Sequence, residues 1–314
     1  MLRADDARRI LDEFGLGSDG MLTGPVARGE VGQVWRLATT DAVYAVKEPF
    51  EPPDESATDD EAAFQELGTA GGVPAPRVVR TPDGLLLVRI RTAVIRLYDW
   101  VDLRAPDRHL DTTAVADAVA RLHRVRYAGA NGLHPWYTDP IGRAEWRSLV
   151  DDLVRARAPF AERFADRFTE LVALEQLISE PDDVQTCHRD LFADNVLATG
   201  TGDVCIIDWE NSGLADPSQE LAVVIFEFGG DDAGRIRDLH DAYRERGGPG
   251  LVHRPEAFSM AIAQLGHIGH VSARRWLDDP RPDERERNTR RVEEFLSDGI
   301  TRDRIELVLD AIGR

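Results

Sequence analysis

CHRDLFADNVLATGTGDVCIIDWE, residues 187–210, decides how this chain is read. Asp190 stands five residues before Asn195, and Asn195 thirteen before Asp208, with apolar residues filling the intervals. Residues 196–199 read as a short strand, 200–203 carry turn chemistry, and 204–207 read as the returning strand. Such a hairpin would carry Asp208 back to the foot of the strand that Asn195 begins. Phosphoryl transfer from a nucleotide needs that set of groups. One carboxylate must lie beside the attacking hydroxyl, and oxygen ligands must hold magnesium against the phosphates. A buried apolar hairpin that happens to end in acids is the plainer alternative, and the joint spacing of Asp, Asn and Asp weighs against it.

A site of this kind also needs a loop over the phosphates and a lysine that reaches them. The stretch RGEVGQVW, residues 28–35, has a strand-turn-strand look, and Gly29 and Gly32 would let backbone amides approach a phosphate. Ala27 stands where a first glycine would be expected. The next apolar strand, AVYAVK at 42–47, ends in Lys47, the expected phosphate contact. Its carboxylate partner should come from the helix-like segment 59–70, with Glu61 preferred and Glu66 in reserve, because spacing alone does not choose between them.

These motifs together resemble the aminoglycoside phosphotransferase and choline kinase group, the small-molecule relatives of protein kinases. The resemblance spans the glycine loop, Lys47, the Glu61 helix, GVPAPRVVRTPDG at 72–84, HRDLFADN at 188–195, IDWE at 207–210 and DPSQELA at 216–222. It implies an α+β, protein-kinase-like two-lobed fold, with an antiparallel-sheet small lobe and a mainly helical large lobe. Carried over, Asp190 would be the catalytic base, Asn195 and Asp208 magnesium ligands, and Lys47 the contact to the phosphates of ATP, with GTP as the alternative. Asp216 and Glu220 would brace the catalytic loop. Arg189 departs from the glycine that many aminoglycoside kinases carry between His and Asp. IDWE, the absence of an Ala-Pro-Glu tripeptide and the short segment after Asp208 argue against a protein kinase.

The expected organisation is a small nucleotide-binding lobe over residues 1–97, a hinge at 98–101 and a helical large lobe over 102–314. Tyr98 and Trp100 fall in the hinge, whose backbone would meet adenine; the Trp100 ring itself reads more as a packing residue. Asp111 or Thr112 should cap a helix carrying Val115, Val119 and Leu122 on one face, and residues 161–179 repeat the helical signal. NGLHPWYTDP, 131–140, reads as a loop offering Trp136, Tyr137 and Asp139 to an acceptor, or as an aromatic anchor. Glu210, Glu227, Asp231 and Asp232 could face a polyamine or be plain surface acids. His267 and His270 read as helix-face histidines, since no third metal ligand is evident. The tail from 288 reads as two helices after a charged loop at 277–288.

Composition bounds the remaining possibilities. The 57 acidic residues against 38 basic ones leave a net charge of −19, which would repel a nucleic-acid backbone and favours a cationic acceptor, although an acidic surface also serves solubility alone. No apolar run approaches membrane-spanning length, and the acidic, amphipathic start does not read as a secretory signal, so a cytoplasmic location with no membrane or protein partner is expected. Cys187 and Cys205 read as small buried hydrophobes rather than a disulfide or redox pair. The expected function is ATP-dependent phosphorylation of a hydroxyl on a small, cationic molecule such as an aminoglycoside or other antibiotic. A metabolic kinase acting on choline, homoserine or a sugar derivative is one alternative, and a non-catalytic nucleotide-binding regulatory module is another.

Overall fold

The computed structural model describes residues 1–29 and 31–313, so Glu30 of the glycine loop lies outside the described residues. A 3-10 turn (Ala4–Asp6) and helix α1 (Ala7–Phe14) precede three antiparallel strands, β1 (Gly20–Arg28), β2 (Gly32–Thr39) and β3 (Val43–Pro49). Helix α2 (Glu55–Ala70) follows, then β4 (Val78–Val79), β5 (Val88–Ile90) and β6 (Ala93–Asp99). The sheet order is β1-β2-β3-β6-β4, with β5 paired to the other part of β6. Alternation in β2 and β3 turns Trp35, Leu37 and Val46 onto α1, where Ile10, Leu11 and Phe14 complete a core.

The chain then becomes helical through α3 (Thr112–His123), α4 (Pro135–Thr138), α5 (Arg143–Ala156) and α6 (Ala161–Glu175). Asp111 caps α3, accepting the Thr113 and Ala114 N–H groups at 2.9 Å each, which satisfies donors that the first turn leaves orphaned. Short strands β7 (Gln185–Cys187), β8 (Val196–Ala198), β9 (Val204–Ile206) and β10 (Gly213–Ala215) frame the site before α7 (Pro217–Gly229), α8 (Ala233–Glu245), α9 (Ser259–Asp278), α10 (Pro282–Asp298) and α11 (Arg302–Ala311). Apolar on nearly every side, α7 runs buried through the largest core. Val115, Val119 and Leu122 of α3 pack in the same core, as their spacing predicts.

Several boundaries differ from the sequence reading. Strand β3 runs on to Pro49, so Lys47 sits inside a strand and not at its end. Strand β5 is short, only Val88–Ile90 pairing, because Gly84, at φ +83°, closes a turn in which its N–H meets Thr81 O at 2.8 Å. Helix α6 stops at Glu175. The charged stretch at 277–288 is no loop for most of its length, because Pro282 starts α10 with Asp283 and Glu284 in the first turn, where a helix N-terminus favours acids. NGLHPWYTDP contains α4.

Phe64 joins the sheet-side helix to the catalytic side. It is fully buried, edge-on to Trp209 at 5.3 Å and stacked with Tyr127 at 5.7 Å. Phe64→Ala is expected to cost about 3–5 kcal/mol of stability, measured by urea unfolding; a loss under about 1 kcal/mol would show that this contact does not anchor α2.

Candidate active site

The hairpin of β8 and β9 closes at its mouth through the Ile207 N–H, which donates to Asn195 O at 2.9 Å. That bond sets Asp208 beside Asn195, as the spacing predicts. Asn195 in turn reaches back to Asp190: its Nδ2 donates to Asp190 O at 3.0 Å and Oδ2 at 2.9 Å. Both amide hydrogens are thereby spent on Asp190, so the remaining ligating atom of Asn195 is its oxygen. Asp190, Asn195 and Asp208 all line one cavity of about 760 Å3. Asp208 and Arg189 both adopt left-handed backbone, at φ +62° and +66°, a conformation that non-glycine residues hold only where their surroundings enforce it.

Lys47 meets the hairpin from β3. Its Nζ lies 2.5 Å from Asp208 Oδ1 and 2.7 Å from Glu210 Oε2. Burial works against the ammonium, but the two carboxylates outweigh it and keep the group charged well above lysine's usual range. The expected Lys47–Glu61 pair is not formed. Arg96 stands directly across from Lys47 in the β3–β6 register, on the same face of the sheet, and takes Glu61 for itself while also reaching Glu210 at 3.2 Å. The reserve candidate, Glu66, is paired with Arg80 at 2.7 Å. Burial likewise disfavours the Arg96 cation, yet the carboxylates of Glu61 and Glu210 hold it protonated.

Other expected ligand contacts are otherwise occupied. The Gly29 N–H is spent on Gly32 O at 2.9 Å, and a Cβ on Gly32 would meet Glu48 O at 2.8 Å, so Gly32 answers to close strand approach. Tyr98 packs on Ala62, Val78 and Leu86. The Trp100 indole donates to Asp102 Oδ1 at 2.7 Å, and its backbone N–H to Val43 O at 3.1 Å. Of the acceptor candidates, Trp136 and Glu227 line the cavity. Tyr137 is buried beneath the Arg189 guanidinium, 4.6 Å from ring centre, while Asp231 pairs with Arg304 at 2.9 Å and Asp232 caps α8. His267 stacks on Trp136 at 5.0 Å, with its Nε2 3.1 Å from Asp139 O, and His270 sits edge-on to Trp146 at 5.7 Å. Both cysteines are buried and free.

A family model described as the phosphotransferase enzyme family matches residues 24–254, which hold Lys47, Glu61, Arg96, Asp190, Asn195, Asp208 and Glu210. The chain belongs to the phosphotransferase enzyme family. Among solved structures it is similar to a spectinomycin phosphotransferase in complex with ADP and spectinomycin, at 15% identity and TM-score 0.71, covering 99% of this chain and 98% of that one. It is also similar to a choline/ethanolamine kinase family protein from Mesorhizobium loti, at 17% identity and TM-score 0.56 over 98% of each chain. A microcompartment-associated aminopropanol kinase aligns at 15% identity and TM-score 0.58, over 95% of this chain and 99% of that one. Comparison with curated proteins gives no significant sequence match. The sheet and helices are those of the protein-kinase-like fold these phosphotransferases share.

Within this phosphotransferase, sequence reasoning missed Arg96, Asn211 and Gln264. Asn211 Nδ2 donates to Asp190 Oδ2 at 3.0 Å, and Gln264 Nε2 to Arg189 O at 3.1 Å. The signal for Arg96 was present, since β3 and β6 are neighbouring strands, but their register was not readable. Burial is the main force on the Asp190 carboxyl; Asn211 and Asn195 pull it down, Asp208 pushes it up, and the balance stands at about 6. The group is therefore a carboxylate at pH 7 and loses its proton-accepting form as pH falls through 6. Carbon-13 NMR of aspartate-labelled, metal-free protein is expected to show one carboxyl titrating near pH 6 that vanishes in Asp190→Asn. A midpoint near 4 would contradict the burial effect.

Proposed function

We propose that this phosphotransferase moves the γ-phosphoryl group of ATP, held with magnesium, to a hydroxyl of a small cationic molecule. The observation that carries the reading is the convergence of Asp190, Asn195 and Asp208 on one wall of the 760 Å3 cavity, with Lys47 bonded to Asp208. The acceptor hydroxyl would pass its proton to Asp190 as its oxygen bonds the γ-phosphorus and the bond to the β-bridging oxygen breaks, releasing ADP. The donor set fits a hard cation: the Asn195 amide oxygen and the Asp208 carboxylate are oxygen ligands of the kind magnesium takes. Magnesium, when bound, supplies charge neutralisation at the phosphates. Lys47 would exchange one of its two carboxylates for phosphate oxygens, and most of the rate gain would come from positioning. On this reading residues 1–97 form the nucleotide side, 98–101 the hinge and 102–314 the acceptor side, in a cytoplasmic enzyme.

Charge supports a cationic acceptor. Six carboxylates line the cavity, Asp190, Asp194, Asp208, Glu227, Glu294 and Asp298, against the three guanidiniums of Arg108, Arg275 and Arg291. Such an imbalance in a cleft attracts cations and is screened by salt. Three similar structures are named for spectinomycin, ethanolamine and aminopropanol, and the last two are amino alcohols by name. Apolar walls from Phe192, Phe226, Leu265 and Phe295 would seat the carbon frame of such a molecule.

Incubation with magnesium and ATP or GTP across aminoglycosides, other amine antibiotics, choline, homoserine and amino sugars tests the reading by mass spectrometry. One acceptor class is expected to gain a single phosphoryl group, with acceptor KM rising as salt is added. Asp190→Asn and Asp208→Ala are expected to lose at least a hundredfold in kcat while remaining folded. Full activity in Asp208→Ala would overturn the metal assignment, and bound nucleotide without transfer to any acceptor would favour a non-catalytic role.

A further inference from the structure

A carboxylate that takes a proton from an acceptor needs one oxygen held and the other free. In Asp190 the two oxygens are unequal. Among the described residues, Oδ2 accepts two side-chain amides, from Asn195 at 2.9 Å and Asn211 at 3.0 Å, whereas Oδ1 has a single long contact, 3.5 Å from Gln264 Nε2. Asn195 and Asp190 belong to the loop motif itself. Asn211 does not: it arrives from the 3-10 turn after Asp208 and is not among the residues lining the cavity.

Asn211 is gripped by the residue next to the one it serves. Arg189 Nε donates to Asn211 O at 2.6 Å, and the same guanidinium donates to Ser212 O at 3.2 Å and Gly132 O at 3.0 Å. The result is a closed ring: Arg189 holds the Asn211 backbone, and the Asn211 side chain holds Asp190. Space for it is provided at Gly213, where a Cβ would lie 2.5 Å from Arg189 Cζ. This arrangement gives the unexpected arginine between His188 and Asp190 a role, since a glycine there would leave Asn211 without its anchor.

We propose that Asn211 is a positioning residue for Asp190, anchored by Arg189, and that the pair leaves Oδ1 as the oxygen that receives the acceptor's proton. The inference rests on the reading of Asp190 as the base. Removing one hydrogen bond to a charged group changes a rate by about ten- to a hundredfold when the bond matters only for orientation. Asn211→Leu is therefore expected to lower kcat by that factor while KM for nucleotide and acceptor stays within about twofold. Asn211→Asp sets a second carboxylate against Oδ2 and is expected to lose more. Gly213→Ala displaces the guanidinium and is expected to give the same kcat-only loss with Asn211 intact.

Retention of kcat within about twofold in Asn211→Leu, or a rise in KM at unchanged kcat, would overturn the proposal. A second measurement needs neither an acceptor nor a folded Asn211 variant. The Asn211 side-chain amide resonance in nitrogen-15 spectra is expected to shift when Asp190 is changed to Ala, and an unmoved resonance would overturn the hydrogen bond directly. Wild-type protein that phosphorylates no acceptor would instead count against the proposed function, leaving the resonance to decide this point alone.

Discussion

A buried carboxylate on α7 fixes the loop on which the site depends. Glu220 is fully buried; it accepts the Arg189 N–H, and His123 lies between it and the Tyr243 hydroxyl at 2.8 Å from each. An unpaired carboxylate in that position would cost several kcal/mol. Burial opposes its ionisation, but the bonds from His123 and the Arg189 N–H outweigh it and hold the acid below its usual range. What this anchoring sustains is the left-handed turn at Arg189, a conformation costing about 1–3 kcal/mol that ordinary loop residues would relax out of. Asp190 is aimed by that turn, and Cys187, buried against Ala215, seals its base.

On the sheet side the governing element is a chain of alternating charges, Glu61, Arg96, Glu210, Lys47 and Asp208. Because Arg96 is almost wholly buried, it needs carboxylate partners, and Glu61 is the nearest one that α2 offers. Lys47 is then left to the carboxylates of the hairpin. The sheet side and the catalytic hairpin are tied together through Lys47, Asp208, Glu210 and Arg96, and on the proposed reading a ligand that engages these groups would also shift the relation between the two sides.

What the sequence showed and what it hid divide along one physical line. Asp190, Asn195 and Asp208 were legible because their geometry is set by a local hairpin, where spacing and turn chemistry determine position. The Asp111 cap and the apolar face of α3 were legible for the same reason. Glu61 was assigned the wrong partner because the competitor, Arg96, comes from a strand 35 residues later whose register against β3 is a tertiary fact. Asn211 carries no signal of its own in the sequence, and only the Arg189 guanidinium, folded back over Gly213, shows why its side chain reaches Asp190. The true start of α10 was hidden by dense charge, which reads as loop until Pro282 and the first-turn acids are seen as a helix beginning.

The most direct measurement is a crystal structure of the protein with magnesium and a non-hydrolysable ATP analogue. The expected result has Lys47 Nζ moved from Asp208 onto the phosphates, the Asn195 oxygen and Asp208 on the metal, and the γ-phosphate facing Asp190 Oδ1 across the acceptor cavity. Nucleotide bound elsewhere, or bound with the Lys47–Asp208 pair intact and no metal on Asn195, would contradict the assignment of this hairpin to phosphoryl transfer.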